Sequence, residues 1–344
     1  SFFFLFFFSS FYFLEEERLN KVKHGVYKDP VTKQTYLTPI NIGIYNLNII
    51  KKITTHIDEI IFTSYMETEH SDDFVTIKNI TSQLKDLGIS YDNTTFQNSH
   101  HLYHAMSGIF QSGFKEATCL ILDGAGGYLN EERKDLKEVE SIYSFSQKKG
   151  FSPLYKHYSN GPQGLDQNFN TFKQNGCEIV YSNSFSCGQV FNKMAIPLGF
   201  EEAIAESGKL MGLSSYGKIY RYPEDWYVEI ENQRITNNPI IERHYDRSID
   251  YYNNTLRKAK ICKKIQEETL KHTIFLIKKA LNLNKSNNLI LSGGYFLNCV
   301  NNYRYLDHLP SNINIYIDPL SNDNGTALGA AAYVWYNKSK KLIN

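Results

Sequence analysis

Two short apolar runs, each breaking into glycine, constrain what this chain can fold into more than any other feature. Ala117–Leu122 stops at Asp123-Gly124-Ala125-Gly126-Gly127, and Leu289-Ile290-Leu291 stops at Ser292-Gly293-Gly294. Such runs have strand length, and glycine directly behind them lets the backbone turn or lets a ligand approach where a Cβ would block it. Helical patterns separate the strands. Ser99–Phe110 reads as a helix capped by Ser99, with Gly188–Pro197 and Glu201–Met211 as two more. Leu256–Leu281 carries the helical period for about seven turns. Ile57–Thr63 and Ile313–Ile317 read as strands, Ser141–Phe145 and Leu154–Tyr158 as a hairpin around Gly150, and Thr326–Tyr336 as a closing small-residue helix. Strands alternating with helices predict an α/β fold.

Composition narrows the function classes. The 344 residues hold 37 Lys+Arg against 36 Asp+Glu, so the chain lacks the basic footprint of a nucleic-acid binder. Five scattered cysteines without a CxxC pair point to a reduced compartment and to no structural zinc. The opening SFFFLFFFSSFYFL is about fourteen residues long, short of the roughly twenty that a spanning helix needs. It has no basic n-region and runs into Glu15-Glu16-Glu17, unlike a signal peptide. With Ser1 in place of methionine, it reads as a truncated start that keeps a buried strand or two. No other apolar run is long enough to span, and the expectation is a cytoplasmic protein without a membrane partner.

Four places carry residues suited to chemistry. In Ser99-His100-His101-Leu102-Tyr103-His104, His100 and His104 stand four apart, so on a helix they share a face and can share a metal ion. His101 points about 100° away. Two histidines alone fit ordinary hydrogen bonding better, because they give only two ligands; a third hard ligand would shift the balance, and Asp323 is the candidate. In Asp123–Gly127 the glycines suit a phosphate and the carboxylate suits a cation or water, although a plain hairpin turn accounts for them as well. Ser292-Gly293-Gly294 with Asn298 is a strand, a turn and a helix start, with amides suited to an anion and Asn298 to a ribose or base. The fourth place is Asp323-Asn324-Gly325 before the small-residue helix, where close packing explains Ala330 and Ala331 but leaves Asp323 unexplained.

The order of these motifs resembles the O-carbamoyltransferases of nodulation-factor and antibiotic biosynthesis, in their N-terminal domain, which is related to the tRNA threonylcarbamoyltransferases. The residues that carry the resemblance are Glu15-Glu16-Glu17-Arg18 with Lys21-Val22-Lys23-His24, and His100–Ala105 followed by Ser112-Gly113-Phe114. Asp123–Gly127, Gly208-Lys209-Leu210-Met211-Gly212-Leu213 with Tyr216-Gly217, Ser292–Gly294 with Asn298, and Asp323–Ala331 complete it. The resemblance implies an actin/hexokinase/Hsp70-like fold of two ribonuclease-H-like lobes, residues 1–116 and 117–344, with the active site in the cleft between them. It implies a divalent metal, usually Fe(II), on His100, His104 and Asp323. Nucleotide contacts fall on Asp123, Gly124, Gly126, Gly127, Gly293, Gly294 and Asn298, with Asn192 and Gly208 also lining the cleft. Asn192 stands where the tRNA-modifying relatives carry aspartate.

The implied reaction is carbamoyl transfer from carbamoyl-adenylate, made from carbamoyl phosphate and ATP, to a hydroxyl of a small-molecule acceptor. His101 and His24 are the candidates for a general base. The family's glycine turn and His-Asp pair of the first hairpin have no counterpart before Glu15, and its C-terminal adenylate-forming domain has none after the closing helix. The expectation is therefore a transferase supplied by that domain or by a separate partner protein, in a homodimer. Transfer to tRNA and a catalytically silent nucleotide-binding module are the alternatives. A two-His, one-carboxylate set also suits a non-haem iron oxygenase, but those sites sit in antiparallel barrels, against the alternation seen here.

Overall fold

The computed structural model describes residues 50–63, 81–96, 98–130, 132–133, 135–161, 169–195, 198–200, 206–217 and 255–342, with short strands at 4–7, 10–13, 27–28, 35–36, 230–231 and 234–235. His24, the 15–23 motif and most of Glu224–Asn254 lie outside the described residues. The Phe-rich start forms β1 (Phe4–Phe7) and β2 (Ser10–Phe13), paired antiparallel. Two small pairs are β3 (Tyr27–Lys28) with β4 (Thr35–Tyr36), and β12 (Ile230–Glu231) with β13 (Arg234–Ile235). β5 (His56–Phe62) runs parallel to β6 (Ser90–Phe96) and antiparallel to β1, giving a four-stranded sheet in the order β2-β1-β5-β6.

The larger sheet has seven strands: β7 (Glu116–Leu122), β8 (Lys137–Ser146), β9 (Gly150–Ser159), β10 (Phe169–Gln174), β11 (Cys177–Ser182), β14 (Asn288–Ser292) and β15 (Asn314–Ile317). Its order is β10-β11-β9-β8-β7-β14-β15. The stretch β9-β8-β7-β14-β15 is an antiparallel meander continued by two strands parallel to β7, the ribonuclease-H-like order of the actin/hexokinase/Hsp70-like folds. Two tight turns close hairpins of this sheet. Gly150 sits at φ 81°, and Asn175-Gly176, both at positive φ, close the β10–β11 hairpin as a two-residue turn of the kind that matches strand twist.

Among the described residues, the helices that pack around this sheet include α1 (His100–Ser112), α2 (Cys187–Ala195), α3 (Ser207–Leu213), α4 (Thr255–Leu283) and α5 (Asn324–Ser339). Alternation along β7 sorts them. Cys119 and Ile121 face Ala105, Met106 and Ile109 of α1 and Ala332 and Tyr336 of α5. Leu120 and Leu122 face the other way, into a core with Val190 and Met194 of α2 and Cys262, Ile265 and Leu276 of α4. Burying both faces of the central strand explains why its sequence reads as one apolar run. α1 and α5 cross at backbone contact, where a Cβ on Gly329 would overlap the Tyr103 carbonyl. Among the described residues no helix is long and apolar enough to cross a membrane.

Candidate functional site

α1 begins directly over the carboxyl end of β7, and α5 begins beside it, so four side chains meet. His100 Nε2 lies 3.2 Å from His104 Nε2, 3.1 Å from Asp123 Oδ2 and 3.4 Å from Asp323 Oδ1. His104 Nε2 is 3.8 Å from each of the same two carboxylate oxygens. One ligand atom from each of the four residues lies within 4.8 Å of the others. Both histidines are buried, Asp123 nearly so, and the Asp323 side chain is 66% exposed at the mouth. Burial pulls the His100 imidazole downward, but hydrogen bonds to Asp123 and Asp323 and their charges outweigh it and carry its pKa to about 10. Burial pushes both carboxyls upward, yet the histidines hold Asp123 and Asp323 below the usual carboxylate range.

The donor set suits a divalent first-row ion: two imidazoles and two carboxylates, already mutually close, whose charges would balance the ion's two. His104 Nδ1 is buried without a hydrogen-bond partner. The sequence brought His100, His104 and Asp323 together; Asp123 had been assigned to the nucleotide loop. The structure has it serve both places, because its Oδ1 accepts the Gly294 amide at 3.0 Å while Oδ2 faces His100. The two glycine turns are therefore neighbours. Gly293, at φ 99°, packs so tightly on Leu122 that a Cβ would overlap that residue's carbonyl. Asn192 on α2 accepts a hydrogen bond from Ser207 at 2.7 Å, and its amide stands 3.1 Å from where a Gly124 Cβ would be. Gly208, beside Ser207, is exposed with open space around it.

Four of the expected site residues pack against the protein itself. Gly126 and Gly127 make room for neighbouring side chains. A Cβ on Gly126 would stand 2.5 Å from His101 Cδ2, and one on Gly127 would overlap Asn98 Oδ1. The loop is tied down by Gly126 N to Glu138 O at 2.6 Å and Glu138 N to Gly127 O at 2.7 Å. Asn298 faces inward: it is fully buried, its amide donates to Gln266 Oε1 at 3.2 Å, and it caps the helical turn at Asn301. His101 is likewise fully buried behind the loop, with Nδ1 2.8 Å from Ser141 Oγ, which donates to Glu138. Burial lowers its pKa to about 4, so it is a neutral support and not an exposed base.

A protein of Synechocystis, described as uncharacterized protein sll1178, is 26% identical over 266 residues, 72% of this chain. The chain spans 38% of the length of that relative. Among solved structures, HypF of T. kodakarensis is similar at a TM-score of 0.47 and 14% identity, over 77% of this chain and 40% of that one. Full-length HypF in a phosphate- and nucleotide-bound form gives 0.44 and 14%, over 77% and 50%. Component A of the (R)-2-hydroxyglutaryl-CoA dehydratase of Acidaminococcus fermentans gives 0.39 and 14%, over 83% and 92%. The model of the carbamoyltransferase N-terminus matches residues 15–332, and the chain belongs to that family.

Proposed function

We propose that this chain transfers a carbamoyl group from carbamoyl-adenylate to the hydroxyl of a small-molecule acceptor, releasing AMP. The observation that carries the reading is the double role of Asp123, which joins the His100–His104–Asp323 cluster to the glycine turn at Gly294. His100, His104, Asp123 and Asp323 would hold a divalent ion, Fe(II) by family resemblance, and such an ion supplies Lewis-acid polarisation of a carbonyl or phosphoryl oxygen.

The chain's own residues do the rest. The Gly293–Gly294 turn and the Asp123–Gly124 backbone form the wall against which the adenylate phosphate rests, and Asn192 with Ser207 and Gly208 borders it. His101 and Glu138 hold the loop from behind, so the wall is preformed before substrate arrives. The donor nucleotide comes from an adenylate-forming domain or partner. The test supplies synthetic carbamoyl-adenylate directly and follows AMP release with and without a hydroxyl acceptor. The expected result is acceptor-stimulated release that Asp323→Ala abolishes. Release at the buffer rate by the metal-loaded chain would overturn the reading and favour a silent nucleotide-binding module.

A further inference from the structure

A second buried group of metal-ligating side chains lies under the same loop. Glu140 on β8, Cys187 at the start of α2 and His272 on α4 each place a ligand atom within 4.8 Å of the other two. All three are buried, at 1%, 0% and 3% exposure. Hydrogen bonds join them without completing them. Glu140 Oε1 lies 2.8 Å from His272 Nε2, and Oε2 lies 3.0 Å from His157 Nδ1. His157 is complete, since its Nε2 meets Ser182 Oγ at 2.6 Å. His272 Nδ1, by contrast, is buried with no partner. The Cys187 thiol meets only Thr273 Oγ1 at 3.7 Å and the Thr269 carbonyl at 3.8 Å. A buried polar atom without a partner is costly, and His272 carries it on the ring whose other nitrogen, Nε2, faces Glu140.

We propose that Glu140, Cys187 and His272 bind a second divalent ion of the zinc class, distinct from the His100–His104–Asp123–Asp323 site and independent of how that site is read. A thiolate, an imidazole and a carboxylate together select zinc-like ions over magnesium or calcium. On binding, the thiol proton leaves to solvent, and thiolate plus carboxylate then neutralise the ion's charge within the core. His157 holds the carboxylate from behind, the usual task of an outer partner, and the fourth position takes a water. The ligands come from three elements far apart in the chain, so no closely spaced cysteine pair marks them, and the sequence expectation of no structural zinc is the one this proposal would reverse. The ion would pin the start of α2 beneath the Asp123 loop. Ser186 Oγ donates to the Asp123 carbonyl at 3.1 Å, and a Cβ on Gly188 would stand 2.7 Å from the Gly124 amide.

The test uses the chain with His100→Ala and His104→Ala, stripped of metal and titrated with Co(II) under reducing conditions. One Co(II) per chain is expected, with a thiolate-to-metal charge-transfer band that Cys187→Ser abolishes and an affinity that His272→Gln lowers roughly tenfold or more. The unsubstituted protein gives a readout that no misfolded variant can confuse. Zn(II) should slow alkylation of Cys187, mapped by mass spectrometry, while leaving that of Cys262 unchanged. No bound Co(II), a band that survives Cys187→Ser, or equal Cys187 alkylation with and without Zn(II) would each overturn the proposal.

Discussion

Asp123 shows how much one side chain can decide. Its two oxygens face different partners, the Gly294 amide and His100 Nε2. Asp123→Asn keeps an oxygen acceptor but removes the charge; metal affinity, read by titration of the stripped protein, should fall about tenfold or more while the fold persists. The two neighbouring histidines predict a pH profile for the metal-free protein. His100, raised to about 10, contributes stability that is fully present below about 6.5 and fades as pH climbs toward 10. His101, lowered to about 4 by burial, contributes stability that is fully present above about 6.5 and fades as pH falls toward 4. Urea midpoints should therefore peak near pH 6.5 and decline on both sides, and replacing His101 by Asn should flatten the acid limb down to about pH 4, below which the lowered Asp123 and Asp323 carboxyls take over. A peak shifted to either end of the range would show that other groups dominate.

Among the elements, the α1–α5 crossing is the tightest contact. Gly329→Ala would drive a methyl into the Tyr103 carbonyl and should cost about 1–3 kcal/mol or more by denaturant titration. Gly212→Ala, in α3 with nothing within 4 Å, should be neutral or stabilising by less than about 1 kcal/mol. What could be read from the sequence follows from the range of the interactions involved. α4 and α5 were legible because periodicity and small-residue runs are local, and His100 with His104 because a helix fixes their spacing. Strand β6, Ser-Tyr-Asp-Asn-Thr-Thr-Phe, has no apolar run, since its pairing with β5 sets it rather than its composition. The β10–β11 hairpin carries a local signal of its own, Asn175-Gly176. Asn298 was misread because the partner that turns it inward, Gln266, lies a whole helix away. Asp123 was half-read: the strand end marked it, but only the fold brings α1 over it.

At the scale of the whole molecule, the four cluster side chains come from positions 100, 104, 123 and 323, so an ion bound there would link the start of α1, the end of β7 and the start of α5. Anything that binds only the folded chain stabilises it by mass action, about 2.7 kcal/mol at a hundredfold excess over Kd. Adding the ion to stripped protein should raise the melting temperature in proportion to the logarithm of its concentration, and His104→Ala should remove the part of that rise due to this site. The backbone contact between Gly329 and Tyr103 also bears on how such a chain can diverge. Position 329 has no chemistry of its own, yet every larger side chain there would push α5, and Asp323 with it, off the histidines. Drift among descendants is then freest at exposed positions such as Gly212 and narrowest at a residue that touches no ligand, so inheritance at this interface guards a distance rather than a functional group.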